Sequence, residues 1–71
     1  NVYPNPANNQ AIVSGAAGSS IQIFSANGQL VKSIAFIVEN ESLDLSELER
    51  GLYLVKISSE EASHVIKLMK D

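Results

Sequence analysis

A chain of 71 residues with 45% hydrophobic content has the length of one small domain and is too apolar for a disordered segment. It has no cysteine, which excludes a disulfide scaffold and a thiolate metal site, and no apolar run approaching the roughly 20 residues of a membrane-spanning helix. Eight acidic residues against five basic ones give a formal charge of −3, and the cations Lys32, Arg50, Lys56, Lys67 and Lys70 are scattered, so no nucleic-acid surface is expected.

The chain opens on "NVYPNPANNQ" with no initiator methionine and no signal peptide, and it reads as a fragment of a longer protein whose export signal lies upstream. A residue before proline is pushed to extended conformations, and proline fixes its own φ. Residues 2–7 are therefore expected to form a short stiff rod, at a sheet edge or leading into one, because proline has no amide to give a ladder. Next comes "AIVS" at 11–14, a short strand pattern, and then the small-residue loop "SGAAGSS" at 14–20.

In "SIQIF" Ile21 and Ile23 share one face and Gln22 takes the other. "SANGQ" follows, where Asn27 and Gly28 both tolerate positive φ, which makes a hairpin connection. In "LVKSIAFIV" Ile34, Phe36 and Val38 fall on one expected strand face. "ENES" at 39–42 reads as polar and exposed, and Leu43 and Leu45 alternate like a short strand. "SELERG" at 46–51 looks like a single helical turn, with Ser46 and Glu49 at capping-box spacing and Gly51 as its stop. "GLYLVKIS" is the clearest strand, with Tyr53, Val55 and Ile57 on one face.

The last segment, "SEEASHVIKLMKD", is ambiguous. Ala62, Val65, Ile66 and Met69 fit a helical face, with Ser59, Glu60 and Glu61 placed to cap it. As a strand, Val65, Lys67 and Met69 share one face and Ile66 and Leu68 the other. Periodicity leaves both readings open, slightly favouring helix. Several short strands at this spacing point to an all-β sandwich or barrel filling residues 1–71 as a single domain.

Catalytic chemistry has little support. His64 is the sole histidine, and Ser63 beside it would point to the opposite face of a strand, so the two make no nucleophile–base pair. One imidazole and two adjacent carboxylates, Glu60 and Glu61, make no metal site. No catalytic, cofactor or metal residue is expected.

Four stretches taken in order, "VYPNP", "IQIFSANGQLV", "LDLSELERGLYLVKI" and "IKLMK", resemble the type A C-terminal sorting domain of the type IX secretion system of Bacteroidetes-type bacteria. The resemblance runs over essentially the whole chain, although no one motif is specific. It implies a small immunoglobulin-like antiparallel β-sandwich of about seven short strands in a Greek-key arrangement, whose terminal segment is a strand. It implies a function too: a sorting signal that takes its upstream cargo across the outer membrane. The implied partners are that cargo domain, the type IX translocon and its shuttle, and a sortase-like peptidase cutting at or before Asn1. The implied path is the periplasm in transit, then the cell surface or the medium, with the cargo released or joined to surface lipopolysaccharide.

Carried onto this chain, Tyr3, Pro4, Asn5 and Pro6 match the family's opening motif, Gly28 its hairpin glycine, and Leu45, Leu48, Gly51 and Tyr53 its turn-and-strand motif. Lys67 and Lys70 match the basic positions of its terminal segment, and Asp71 departs from a basic finish. Tyr3, Pro4, Asn5, Pro6, Gly51, Tyr53, Lys67 and Lys70 are the candidate recognition residues. Each also has a purely structural explanation: a stiff strand entrance for residues 3–6, a chain stop for Gly51, and a core ring with a bonded hydroxyl for Tyr53. The lysines could simply be solvated or snorkelling. Chain order lets Lys70 and the opening rod lie near each other. Sheet edges would also permit a homodimer. The rival class is a passive spacer or a carbohydrate-binding appendage. The latter would want exposed rings, whereas Tyr3, Phe24, Phe36 and Tyr53 are mostly expected inward.

Overall fold

Alternating apolar and polar residues, cut into short runs by glycine- and asparagine-bearing turns, give seven strands and no helix in the computed structural model, which describes residues 2–71. They are β1 (Val2–Tyr3), β2 (Gln10–Val13), β3 (Ser20–Ser25), β4 (Leu30–Ile34), β5 (Glu41–Asp44), β6 (Gly51–Ser58) and β7 (Ser63–Lys70). One sheet has the order β1-β2-β5 and the other β4-β3-β6-β7, and every neighbouring pair is antiparallel. The chain passes between the sheets after β2, β4 and β5, so each sheet is built from non-consecutive strands. This is a Greek-key sandwich of immunoglobulin-like order, as the resemblance implies.

The two inner faces make the core. Ala11, Val13 and Leu43 come from the three-stranded sheet, and Ile21, Ile23, Tyr53, Val55, Ile57 and Leu68 from the four-stranded one. The register Ile21↔Ile57 and Ile23↔Val55 puts β-branched pairs side by side on the buried face, the kind of cross-strand contact that stabilises sheets. Leu45 and Ile37 add to the core from the connections. The β3–β4 hairpin forms where Asn27-Gly28 stands: Gly28 has φ +91°, its amide donates to the Ser25 carbonyl at 2.9 Å, and the Ser25 amide donates to the Gln29 carbonyl at 2.8 Å.

Several local expectations change, and the ambiguity of the terminal segment resolves. The strand expected through residue 38 ends at Ile34. Phe36 then takes a left-handed backbone, φ +57°, which reverses the phase of the alternation. Ile37 becomes the buried residue, while Phe36 and Val38 stay 82% and 65% exposed. Two backbone bonds pin this crossing, from the Ile37 amide to the Ser19 carbonyl and from the Gly18 amide to the Ile37 carbonyl, both 2.8 Å. A shift of one residue sends every side chain to the other face, so the Ile34–Phe36–Val38 face does not form. The expected inward rings likewise reduce to Tyr53, with Phe24 half-buried and Tyr3 and Phe36 exposed.

Residues 46–51 form no helical capping box. The Leu48 amide donates to the Leu45 carbonyl at 3.0 Å, which makes one turn. Ser46 bonds back to Asp44 instead of forward to Glu49: its amide donates to Oδ1 at 3.0 Å and its hydroxyl at 2.7 Å. An aspartate two residues before the serine offers a nearer acceptor, the Asx pattern that competes with helix. In "ENES", Glu41 and Ser42 belong to β5.

The terminal segment is a strand. Along its whole length β7 pairs with β6, from Ser58↔Ser63 to Gly51↔Lys70, with Ile66, Leu68 and Lys70 turned inward. A helix there would leave the second edge of β6 without partners. Finally, the opening stretch is no rod. Residues 4–6 are bends that carry the chain from the edge of one sheet to the edge of the other, and the Tyr3–Pro4 and Asn5–Pro6 peptide bonds are both cis. The cleavage point expected at or before Asn1 lies outside the described residues.

Candidate functional site

After β1 leaves the three-stranded sheet, the chain lies against the lower half of β7, the outermost strand of the other sheet. An edge strand presents unpaired amides and carbonyls. Prolines at positions 4 and 6 have no amide to offer it, and the Asn5 side chain supplies what the backbone cannot. Its Nδ2 donates to the Lys67 carbonyl at 2.7 Å, and its Oδ1 accepts from the Met69 amide at 3.1 Å. One step on, the Ala7 amide donates to the Met69 carbonyl at 2.7 Å and the Asp71 amide donates to the Ala7 carbonyl at 2.8 Å. Ala7 thereby forms a parallel bridge with Lys70 and is 1% exposed. One carboxamide and one residue of backbone thus serve as a substitute strand.

The facing end of β6 completes this corner. Gly51 pairs with Lys70 and has φ +146°, a region that favours glycine, so its requirement is conformational, although no helix precedes it to be stopped. Lys70 is not a solvated lysine: it is 6% exposed on the inward side of β7, and its Nζ donates to the Asp71 carbonyl at 3.3 Å. Lys67, on the outward side, is exposed. Tyr53 has the buried ring and bonded hydroxyl expected of it: its hydroxyl donates to the Glu49 carbonyl at 2.6 Å and ties the start of β6 to the 45–50 turn. This bond back to an upstream carbonyl resembles the tyrosine corner of immunoglobulin-like sandwiches. Leu45 is fully buried and Leu48 packs against the core.

The fold therefore brings Asn5, Gly51, Lys67 and Lys70 to one corner. It leaves Tyr3 apart in the three-stranded sheet, opposite Ile12 and 46% exposed. Pro4 and Pro6 are exposed on either side of Asn5, whereas the Tyr53 ring faces inward. Two contributors escaped the sequence reading, the clamp of Asn5 and the bridge of Ala7. The signal was present for the first, since an amide side chain between two residues without donors is the sole polar side chain of that stretch able to bridge an edge.

Asp44, at the end of β5, has its carboxyl held below the usual range. The Ser46 hydroxyl bond is the main cause, followed by the Ser46 amide and more weakly by the charge of Lys32, against a small opposing effect of desolvation. His64 lies exposed on β7 opposite Ile57. Among the described residues no group of three or more histidine and acidic side chains is placed to hold a metal.

The sequence model of the secretion system C-terminal sorting domain family matches residues 1–71. The chain belongs to this family. It is a sorting domain of the type IX secretion system, a class of domain that is not itself catalytic. The sorting domain is also similar to a protein named Beta-agarase A from Zobellia galactanivorans, with 29% identity over 69 residues covering 93% of this chain and 13% of that protein. The chain thus spans about an eighth of the length of the curated relative it matches. These likenesses support a signal for export to the cell surface or the extracellular space.

Proposed function

We propose that residues 1–71 direct an upstream cargo domain across the outer membrane by type IX secretion, after transit through the periplasm, and that a sortase-like peptidase then cuts ahead of the domain. The observation that carries this reading is the family match along the whole chain. Its physical support is the corner at β7, where the opening motif and the terminal strand are joined into one folded unit. The candidate recognition residues divide by exposure. Tyr3, Pro4, Asn5, Pro6 and Lys67 are available to the translocon or its shuttle, while Gly51, Tyr53 and Lys70 shape the surface that presents them. Asp71 puts a carboxylate next to that surface. A homodimer through a sheet edge has more than one edge open to it, since β4 of one sheet and β5 of the other both lack a strand neighbour on the outer side among the described residues.

Whether the cargo resembles an agarase is a separate matter of the upstream sequence. A spacer would be indifferent to its removal, which sets the experiment. Deleting residues 1–71 from the parent protein should leave a folded cargo trapped inside the outer membrane. A cargo that still reaches the medium at the normal level would refute the sorting role and leave the spacer reading.

A further inference from the structure

In a sandwich the outer face of an antiparallel sheet normally alternates to polar side chains. The outer face of the four-stranded sheet departs from this. Its register places Leu30, Phe24, Leu54 and Lys67 in one row across β4, β3, β6 and β7. Leu52 and Met69 form the next pair toward one end, and Lys56 and Val65 the next toward the other. Phe24 and Leu54 cover one another to half-burial, as cross-strand neighbours do. Leu30, Leu52, Met69 and Val65 remain 49%, 38%, 41% and 61% exposed. A contiguous apolar surface of this kind marks an interaction site more often than scattered single residues do.

Charge is segregated as well. Lys56 and Lys67 are the ionised residues on the outward side of these strands. All eight carboxylates of a chain with net charge −3 lie elsewhere: in loops, on β5 of the other sheet, or after the end of β7. We propose that this face is a docking surface for a protein partner bearing a complementary apolar patch rimmed by carboxylates. The inference deepens the sorting reading and rests on it, since the partner would belong to the export machinery. A second copy of the chain is the poorer occupant, because apposed faces would bring like charges together. A membrane is poorer too. Two lysines attract an anionic surface only weakly.

The test uses residues 1–71 fused behind a fluorescent protein with its own inner-membrane export signal, in a strain with a working type IX system. The double substitutions Lys56→Glu/Lys67→Glu and Leu52→Ser/Met69→Ser both alter outward side chains. Each should lower the exported fraction roughly tenfold, as expected when a docking charge or anchor is reversed or removed, without changing the cooperative melt of the purified domain. The hairpin pair Glu60→Lys/Glu61→Lys, off this face in the β6–β7 turn, should export normally. Should charge reversal lower the melting temperature, Lys56→Gln/Lys67→Gln carries the same test. Folded face variants exported within twofold of the parent overturn the proposal while leaving the sorting role intact. Lysine-dependent flotation of the purified domain with phosphatidylglycerol–phosphatidylethanolamine vesicles overturns the protein partner in favour of lipid. If the unsubstituted fusion itself stays inside, the sorting reading falls and the docking face falls with it.

Discussion

β7 and β4 both end the four-stranded sheet, yet β7 carries a cover and β4 does not. Along the lower half of β7, Asn5 and Ala7 satisfy outward-facing backbone groups at residues 67, 69 and 71. β4 is left open but is guarded differently. It is five residues long, its pairing with β3 is interrupted by an irregularity at Ile23/Phe24, and it bears Lys32 opposite the buried Ile23. A short strand, a bulge and an inward-side charge are all devices that discourage pairing with another chain. One sheet thus handles the same exposed backbone in two ways. The cover consumes the opening motif, which is why that motif and the terminal strand occupy one place although they are separated by nearly the whole sequence.

The sharpest way to break the covered side is from beneath. Leu68 is fully buried on β7 opposite Tyr53, and Leu68→Ala should cost about 2–5 kcal/mol, read as a fall in the denaturant midpoint. A loss well below that range would mean that β7 packs less tightly than its burial indicates. Removing the cover itself is milder. Asn5→Ala deletes two hydrogen bonds at an exposed position, worth about 1 kcal/mol in all. Hydrogen exchange should quicken at the Met69 amide and stay unchanged along β4. Equal quickening on both edges would contradict a local clamp. Tyr53→Phe keeps the ring and removes the bond to the Glu49 carbonyl, for a loss of about 1 kcal/mol in thermal or chemical melts.

Smaller effects sharpen the open side. Lys32→Val should leave the monomer's stability nearly as it was but promote association as concentration rises, seen by sedimentation. A variant that stays monomeric would show that bulge and shortness suffice. Acid should loosen the nearby turn slightly. The Asp44 carboxyl titrates below its unfolded value of about 3.9, so its stabilising effect is complete above that pH and fades as pH falls through the lower folded value. Asp44→Asn should flatten that part of the acid-unfolding curve, and an unchanged curve would remove Asp44 as its source.

Which parts of this were legible beforehand follows a physical divide. β3, β6, their hairpin and the Tyr53 hydroxyl bond could be read because period-two patterning and turn chemistry act over a few residues. Phe36 and Ile37 could not, because their phase is set by the chain's crossing between sheets and by bonds to Gly18 and Ser19, far back in the sequence. Ser46 and Glu49 have the spacing of a cap, but Asp44 offered Ser46 a nearer acceptor. β7 satisfied helix and strand patterns alike, and family resemblance rather than periodicity separated them. At the candidate site the residue types were visible and their assembly was not, since Asn5 meets Lys67 and Met69 only once both sheets exist.

The central claim is that these residues suffice as a sorting signal, and one measurement addresses it directly. Residues 1–71 are placed behind a fluorescent protein carrying an inner-membrane export signal, and the reporter outside the cells is quantified in paired strains with and without the type IX translocon. The expected result is reporter at the surface or in the medium of the first strain and retention within the second. A folded reporter retained equally in both strains would contradict the claim and return the domain to the class of passive spacers.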